Sequence, residues 1–179
     1  MIPTQQAPSP PAAGSPSAPA PTLGCPGAER ELLGCLLVST PDHARLILDR
    51  LDDDDLTVIG LQIVARAMRR LLDADAPDVG PVAVLGELRR AGEITSTALG
   101  NGDGAAGVLL ATLYGNAPVP LAAGHRLRIV VEHAARRRLQ AAGIRLCQAA
   151  ESGALGSVAG LVEAEMSAAL EALVRIGGQ

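Results

Sequence analysis

The stretch ATLYGNAPVPLAAGHRLRIVVEHAARRRL, residues 111–139, decides the fold that the sequence predicts. Its first part continues a helix that ends near Tyr114. Pro118 and Pro120 then break the helix, because proline lacks the backbone N–H that the helical ladder needs. A long helix is predicted from about Leu121 to residue 150. The stretch therefore places a short helix, a turn and a long helix in succession.

A second long helix is predicted after this one, from about Leu155 to Ile176, following a turn at Ser152 and Gly153. Two long helices joined by a short turn form a helical hairpin, which we assign to residues 139–176. Apolar residues of the second helix recur at steps of three and four and make one seam, which favours self-association there. The candidate self-association residues are Leu155, Val158, Leu161, Val162, Met166, Leu170, Leu173 and Val174.

Residues 27–138, before the hairpin, are predicted to form a helical head of five to six helices. The first helix opens at Pro26, with Glu29 near its positive N-terminal end. The acidic run at residues 52–55 is predicted to be a solvated turn and N-cap, and the Gly-rich residues 99–107 a loop. No strand pattern occurs, so the predicted fold class is all-α, a helical head followed by a C-terminal helical hairpin.

The N-terminal residues 1–26 differ in composition from the rest of the chain. They hold eight of the thirteen prolines, mixed with Ala, Ser, Gly and Thr. Such a segment cannot bury enough apolar surface to offset its chain entropy, so we predict a disordered tail. A Pro-rich docking peptide is the alternative, although no basic residue flanks the prolines.

The composition of the 179-residue chain restricts its function. Hydrophobic residues make up 48% of it, but there is no Phe, no Trp and a single Tyr. The core is therefore aliphatic, and no set of rings exists on which nucleic-acid bases could stack. The absence of lysine excludes a P-loop and Schiff-base chemistry. We predict that the protein is not an enzyme, with no catalytic residue, no cofactor, no Walker A motif and no RecA-like ATPase domain.

The remaining sequence signals concern metals and membranes. The three cysteines are widely spaced and form no C-x-x-C motif, which argues against a structural metal site or a disulfide framework, so no metal ligand is assigned. No run approaches the ~18 apolar residues of a membrane span. The N-terminus lacks the features of a signal peptide. These observations predict a cytoplasmic protein that does not contact membranes.

Arginines are concentrated on the predicted long helix, between residues 126 and 138. Arg136, Arg137 and Arg138 span about 200° of its circumference, so they cannot all face one ligand. One interpretation is a solvated face with ion pairs such as Glu132 to Arg136. Another is docking to an acidic protein surface or to phosphates, and direct nucleic-acid binding is the alternative function. The candidate docking residues are Arg126, Arg136, Arg137 and Arg138.

Three motifs resemble a known family, the N-terminal domain of DnaB-type replicative helicases. The first is a proline after a polar turn, then a helix with a His, an Ile-Val pair, a Glu and an Arg-rich end. The second is the run Leu33-Gly34-Cys35-Leu36-Leu37, and the third is residues 82–94. Their order and spacing match the family over residues 26–176. The matching residues of the first motif are Pro118, His125, Ile129, Val130, Glu132, Arg136, Arg137, Arg138 and Leu139.

The resemblance has departures and implications. Leu56, Leu61 and Ala65 stand where the family commonly has Phe, His and Phe, and Arg126 stands where Tyr is usual. The chain ends at Gln179, so we expect the domain without the RecA-like motor that follows it in the helicases. The resemblance implies a collar domain whose hairpins pair into dimers, with three dimers in a ring. It also implies binding to primase, the replicative helicase or its loader, with DNA contacted only indirectly.

Overall fold

Six α-helices follow one another between residues 24 and 151 of the computed structural model. The described residues are 24–95, 97–100 and 103–151, together with 160, 162–164, 167, 171 and 174. Short 3-10 turns lie between the helices at Asp53–Asp55, Glu93–Thr95, Thr97–Leu99 and Pro120–Ala122. No strand occurs among these residues, and the predicted all-α class is confirmed. The helices are α1 (Pro26–Leu37), α2 (Pro41–Leu48), α3 (Ile59–Asp73), α4 (Pro81–Arg90), α5 (Asp103–Gly115) and α6 (Ala123–Glu151).

Prolines determine where three of these helices begin. Pro26, Pro41 and Pro81 lie in the first turns of α1, α2 and α4. Proline fits there because its φ is already helical and its missing N–H would have no intrahelical partner. The hydroxyl of Thr40 adds a cap to α2, since it accepts a hydrogen bond from the backbone N–H of His43 at 3.4 Å. These helix starts are therefore encoded locally in the sequence.

Helix α1 is the central helix of the head and packs against α6, α5 and α3. Its Leu32, Leu33 and Leu36 are completely buried. A helix that is apolar around most of its circumference belongs in the interior of a helical domain. The long apolar run that opens the head therefore becomes the axis of its core.

The positions where the resembled family has rings are filled by aliphatic side chains. Leu56 is 2% exposed, and Leu61 and Ala65 are completely buried. All three belong to or adjoin the start of α3, which packs on α1 and α4. The core therefore closes over these positions with smaller residues, as expected for a chain with no Phe and no Trp.

Helix α5 begins earlier than the sequence predicts. A loop is expected over residues 99–107, but the helix already begins at Asp103, so this prediction is wrong for the second half of the segment. Glycine within a helix costs about 1 kcal/mol relative to alanine. Burial of Ala106, Leu110 and Leu113, each 2% exposed or less, offsets that cost. Tertiary packing here overrides local helix propensity.

Helix α6 runs without interruption from the head toward the predicted hairpin. Leu127 and Val130 are buried within the head. Further along, Ala142 is buried at 7% exposure whereas Ile144 is 53% exposed. The described residues beyond residue 159 are helical. The predicted boundaries of tail, head and hairpin stay predictions, because residues 1–23 and 152–159 lie outside the described part.

Candidate interaction surfaces

The arginines predicted to form a docking surface contact other groups of this chain. The Nε atom of Arg126 lies 2.7 Å from the Oε2 atom of Glu31 on α1. The Nη2 atom of Arg136 donates a hydrogen bond to Oε1 of Glu132, one turn earlier, at 2.6 Å. The ion pair that the i,i+4 spacing predicts is therefore present. Because both of its side chains are about half exposed, it contributes little to stability.

The other two arginines of this group reach from α6 to the acidic turn, residues 52–55. The Nη2 atom of Arg138 lies 2.9 Å from Oδ1 of Asp55, a carboxylate with no exposed surface. The Nη2 atom of Arg137 donates to the backbone carbonyl of Asp55 at 2.8 Å. The Oδ2 atom of Asp55 accepts from the backbone N–H of Asp52 at 2.9 Å. Arg137 and Arg138 therefore attach α6 to a buried turn of the head.

A side chain of helix α3 also contacts this turn. Arg69 donates to the carboxylate of Asp53 and to the backbone carbonyl of Leu51. We call Arg69, Arg137 and Arg138 together the arginine clamp. The prediction that the acidic run is solvated is wrong for Asp55, because the guanidinium of Arg138 and the backbone N–H of Asp52 replace the water that its carboxylate would otherwise need.

Loss of one clamp residue provides a first prediction. Replacing Arg138 with alanine is expected to lower the free energy of unfolding by about 2 kcal/mol, because it removes the ion pair of a fully buried carboxylate. Partial exposure of Arg138, at 31%, keeps the loss below that of a fully buried pair. The matched control is Arg136→Ala, two residues away and exposed, with an expected loss below about 0.5 kcal/mol. Urea denaturation measures both, and equal losses would contradict the clamp.

The candidate self-association residues lie mostly outside the described part of the chain. Of the eight, Val162 and Val174 are described, and both have exposed side chains, at 39% and 71%. The other six, from Leu155 to Leu173, lie outside the described residues. The self-association surface therefore stays a prediction.

A buried acid of α4 organises a second group of ion pairs. Glu87 is 6% exposed and accepts hydrogen bonds from Arg90, with Nε to Oε2 at 2.7 Å, and from Arg70, with Nε to Oε1 at 2.6 Å. Arg70 also donates to Glu93 at 2.7 Å, and so joins α3 to the segment that follows α4. Only the Glu87–Arg90 pair follows a local i,i+3 spacing, because Arg70 is far from both acids in the chain. It stabilises the packing of α3 on α4.

The pH dependence of stability follows from Glu87. Hydrogen bonds from Arg90, then from Arg70, hold the pKa of this carboxyl below its ordinary value although burial opposes them. Its stabilisation is therefore complete above the unfolded value of about 4.3 and is lost as the pH falls through the folded value. Denaturant unfolding at several pH values should show Glu87→Gln costing most near neutrality and progressively less in acid. A cost independent of pH would contradict this assignment.

An open groove of about 480 Å³ lies where the end of α1 meets the start of α4 and the end of α5. Its walls include Leu37, Val38, Pro81, Val82 and Tyr114. The sequence patterns identify none of these residues as a surface, because the groove is assembled from three helices that are distant in the chain.

Metal-binding and membrane-spanning features were sought in the same described region. Among its residues, no group of three or more His, Cys, Asp or Glu side chains is arranged to hold a metal ion. Within that region no single helix is long and apolar enough to cross a membrane; only the bent pair Gly104–Gly115 and Pro120–Glu151 reaches the required length and composition.

Comparison with known proteins identifies a similar solved fold. The structure is similar to the crystal structure of the N-terminal domain of DnaB helicase from Mycobacterium tuberculosis, with a TM-score of 0.69 and 31% sequence identity. The match covers 80% of this chain and 97% of that chain. No family model matches the chain, and no curated protein matches it significantly.

Proposed function

This chain belongs to the family of DnaB helicase N-terminal domains, and from that premise we propose that it is a non-enzymatic protein-interaction module of DNA replication. It self-associates and binds the replicative helicase, primase or a loader in the cytoplasm. The observation that carries this proposal is the match to nearly the whole length of a helicase N-terminal domain, at 97% of that chain.

The ion pairs of the head support a role in binding rather than in chemistry. In the described region, the clamp, the Glu87 group and the Arg126–Glu31 pair each join one helix to another. Groups used in this way position helices and are not poised to transfer protons or to attack a substrate. This distribution fits a rigid module that presents its outer surfaces to partners.

Self-association is assigned to the hairpin. The exposed Val162 lies on the predicted seam, and on α6 the side chains of Leu139 and Ile144 are about half exposed. Exposed apolar residues mark a surface that another helix can cover. Paired hairpins would bury these side chains and leave the head free for a second partner.

The test is size-exclusion chromatography with light scattering on the full chain, alone and then mixed with the host's replicative helicase and primase. A dimer or larger species that co-elutes with either partner is the expected result. Val162→Asp should reduce the mass to that of a monomer at the same concentration. Val82→Asp is the matched control, since the same substitution at an exposed valine of the head leaves the seam intact. A monomer that co-elutes with neither partner would overturn the proposal.

Direct nucleic-acid binding through residues 126–138 is the competing function. The contacts of Arg126, Arg137 and Arg138 weigh against it, because their guanidinium groups already contact this chain's own acids and carbonyls. A phosphate backbone would have to displace those contacts. The competing function requires a shift of DNA at low salt that weakens steeply as salt rises. No such shift is expected.

A further inference from the structure

The groove between α1, α4 and α5 has a single charged residue in its wall. Residues 104–124, which include Tyr114 of that wall, contain no charged side chain. Across the groove, Val82 is 83% exposed. The one acid in the wall, Asp78, accepts a hydrogen bond from the backbone N–H of Gly80 at 2.8 Å. In a chain that is 19% charged, a wall that mixes aliphatic side chains with Ser39 and a single acid favours an uncharged ligand that offers both apolar and hydrogen-bonding groups.

The only residue of the chain among Phe, Tyr and Trp lies in this groove. It is Tyr114, which is 51% exposed, so no side chain of these three types lies in the core. A tyrosine beside a proline and aliphatic side chains, here Pro81, Val82 and Leu37, is the kind of wall that binds extended proline-rich segments. The ring offers a flat apolar face for a proline and a hydroxyl for a backbone carbonyl. These features select a polyproline II ligand.

A segment of that chemistry precedes α1. Residues 1–23 carry no charged side chain, and twelve of them are Pro or Ala. They contain the Pro-x-x-Pro pattern twice, at Pro8 to Pro11 and at Pro16 to Pro19. Prolines hold a chain in the polyproline II conformation before it binds, so little conformational entropy is lost on docking. Basic flanks are not needed here, because the groove offers no free acid cluster to meet them.

We infer that the groove binds the chain's own N-terminal segment, residues 1–23, in a polyproline II conformation. The segment is long enough to reach the groove from its attachment point at the start of α1. Gly24 lies beside Thr57, near the N-terminal end of α1, and the groove lies at the other end of that helix. The 12 residues of α1 span about 18 Å, whereas 23 residues of polyproline II span about 70 Å.

Docking within one molecule needs only a weak contact. A tethered segment acts at an effective concentration in the millimolar range, so modest affinity suffices to occupy the groove.

Tyr114 provides the measurement, because it is the only fluorescent side chain of the protein. Acrylamide quenching of its emission is measured on the full chain and on the full-length variant Pro11→Glu/Pro19→Glu, which interrupts both Pro-x-x-Pro patterns. The variant should be quenched about twofold more strongly, since its ring is no longer covered. Adding a synthetic peptide of residues 1–23 should restore protection to the variant. It should have no effect on a protein that also carries Val82→Asp.

Two controls keep the result specific. Gln5→Glu/Gln6→Glu adds the same two charges outside both patterns and should be quenched like the parent. Circular dichroism should show the same helix content in all variants. Equal quenching of the parent and of Pro11→Glu/Pro19→Glu would overturn the inference. So would protection that persists in that variant and grows with protein concentration, because a second copy would then cover the groove.

Discussion

Replacing Glu29 with alanine is expected to lower the free energy of unfolding by about 4 kcal/mol, the largest single effect that we predict. The carboxylate of Glu29 is completely buried. Its Oε2 atom accepts hydrogen bonds from the backbone N–H groups of Thr57 at 3.0 Å and Val58 at 3.3 Å. Its Oε1 atom accepts from the hydroxyl of Thr57 at 2.5 Å. Glu29 on α1 therefore caps the N-terminus of α3 across the core.

The size of the effect follows from what alanine leaves behind. Two partly buried N–H groups at the start of α3 lose their acceptor, and the positive end of that helix loses the negative charge that faces it. The loss should appear as reduced stability with α3 affected first in amide hydrogen exchange.

Chemical denaturation with a matched variant tests the assignment. Glu132→Ala removes another glutamate, but one that is half exposed and paired only with Arg136, so its cost should stay below about 0.5 kcal/mol. Glu29→Gln keeps the shape of the side chain and should fall between the two. If Glu29→Ala costs no more than Glu132→Ala, the cap contributes nothing and the contact is incidental.

The cap also shows where sequence patterns stop being informative. The sequence places Glu29 in the first turn of α1, where an acid favours that helix's own dipole, and Pro26 does begin α1 as predicted. The carboxylate instead serves α3, about thirty residues later. A local pattern specifies which segments are helical, but the partner of a buried acid depends on how those helices cross.

The acidic turn and the arginines of α6 illustrate the same limit. From the sequence alone, the charge of each segment suggests that it is exposed to solvent. In the structure they neutralise one another, because Arg137 and Arg138 reach Asp55 over more than 80 residues of chain. Only the packing of α6 against the head brings these charged groups together. The resemblance to the helicase domain identifies the fold without predicting these contacts, since it rests on a few spaced motifs.

One motif residue of that resemblance has a packing role that yields the second large prediction. Gly34 lies within the run Leu33-Gly34-Cys35-Leu36-Leu37, where α1 passes the end of α5. A Cβ atom at Gly34 would lie 2.7 Å from the backbone oxygen of Leu113 and 3.2 Å from the Cα of Ala117. Both are backbone atoms, which cannot rotate away, so the two helices would have to separate. Gly34→Ala is therefore expected to destabilise the protein by about 3 kcal/mol.

The same substitution at Gly86 should have the opposite sign. Gly86 lies within α4, and a Cβ atom there would meet nothing within 4 Å. Alanine at this position should stabilise the protein by about 1 kcal/mol, because it restricts the unfolded chain and favours the helix. Urea denaturation of Gly34→Ala and Gly86→Ala compares the two directly, since each adds one methyl group to a helix. If both stabilise, α1 and α5 do not approach as closely as this fold requires. A loss at Gly34 against a gain at Gly86 would show that the motif glycine is needed for the crossing of two helix backbones.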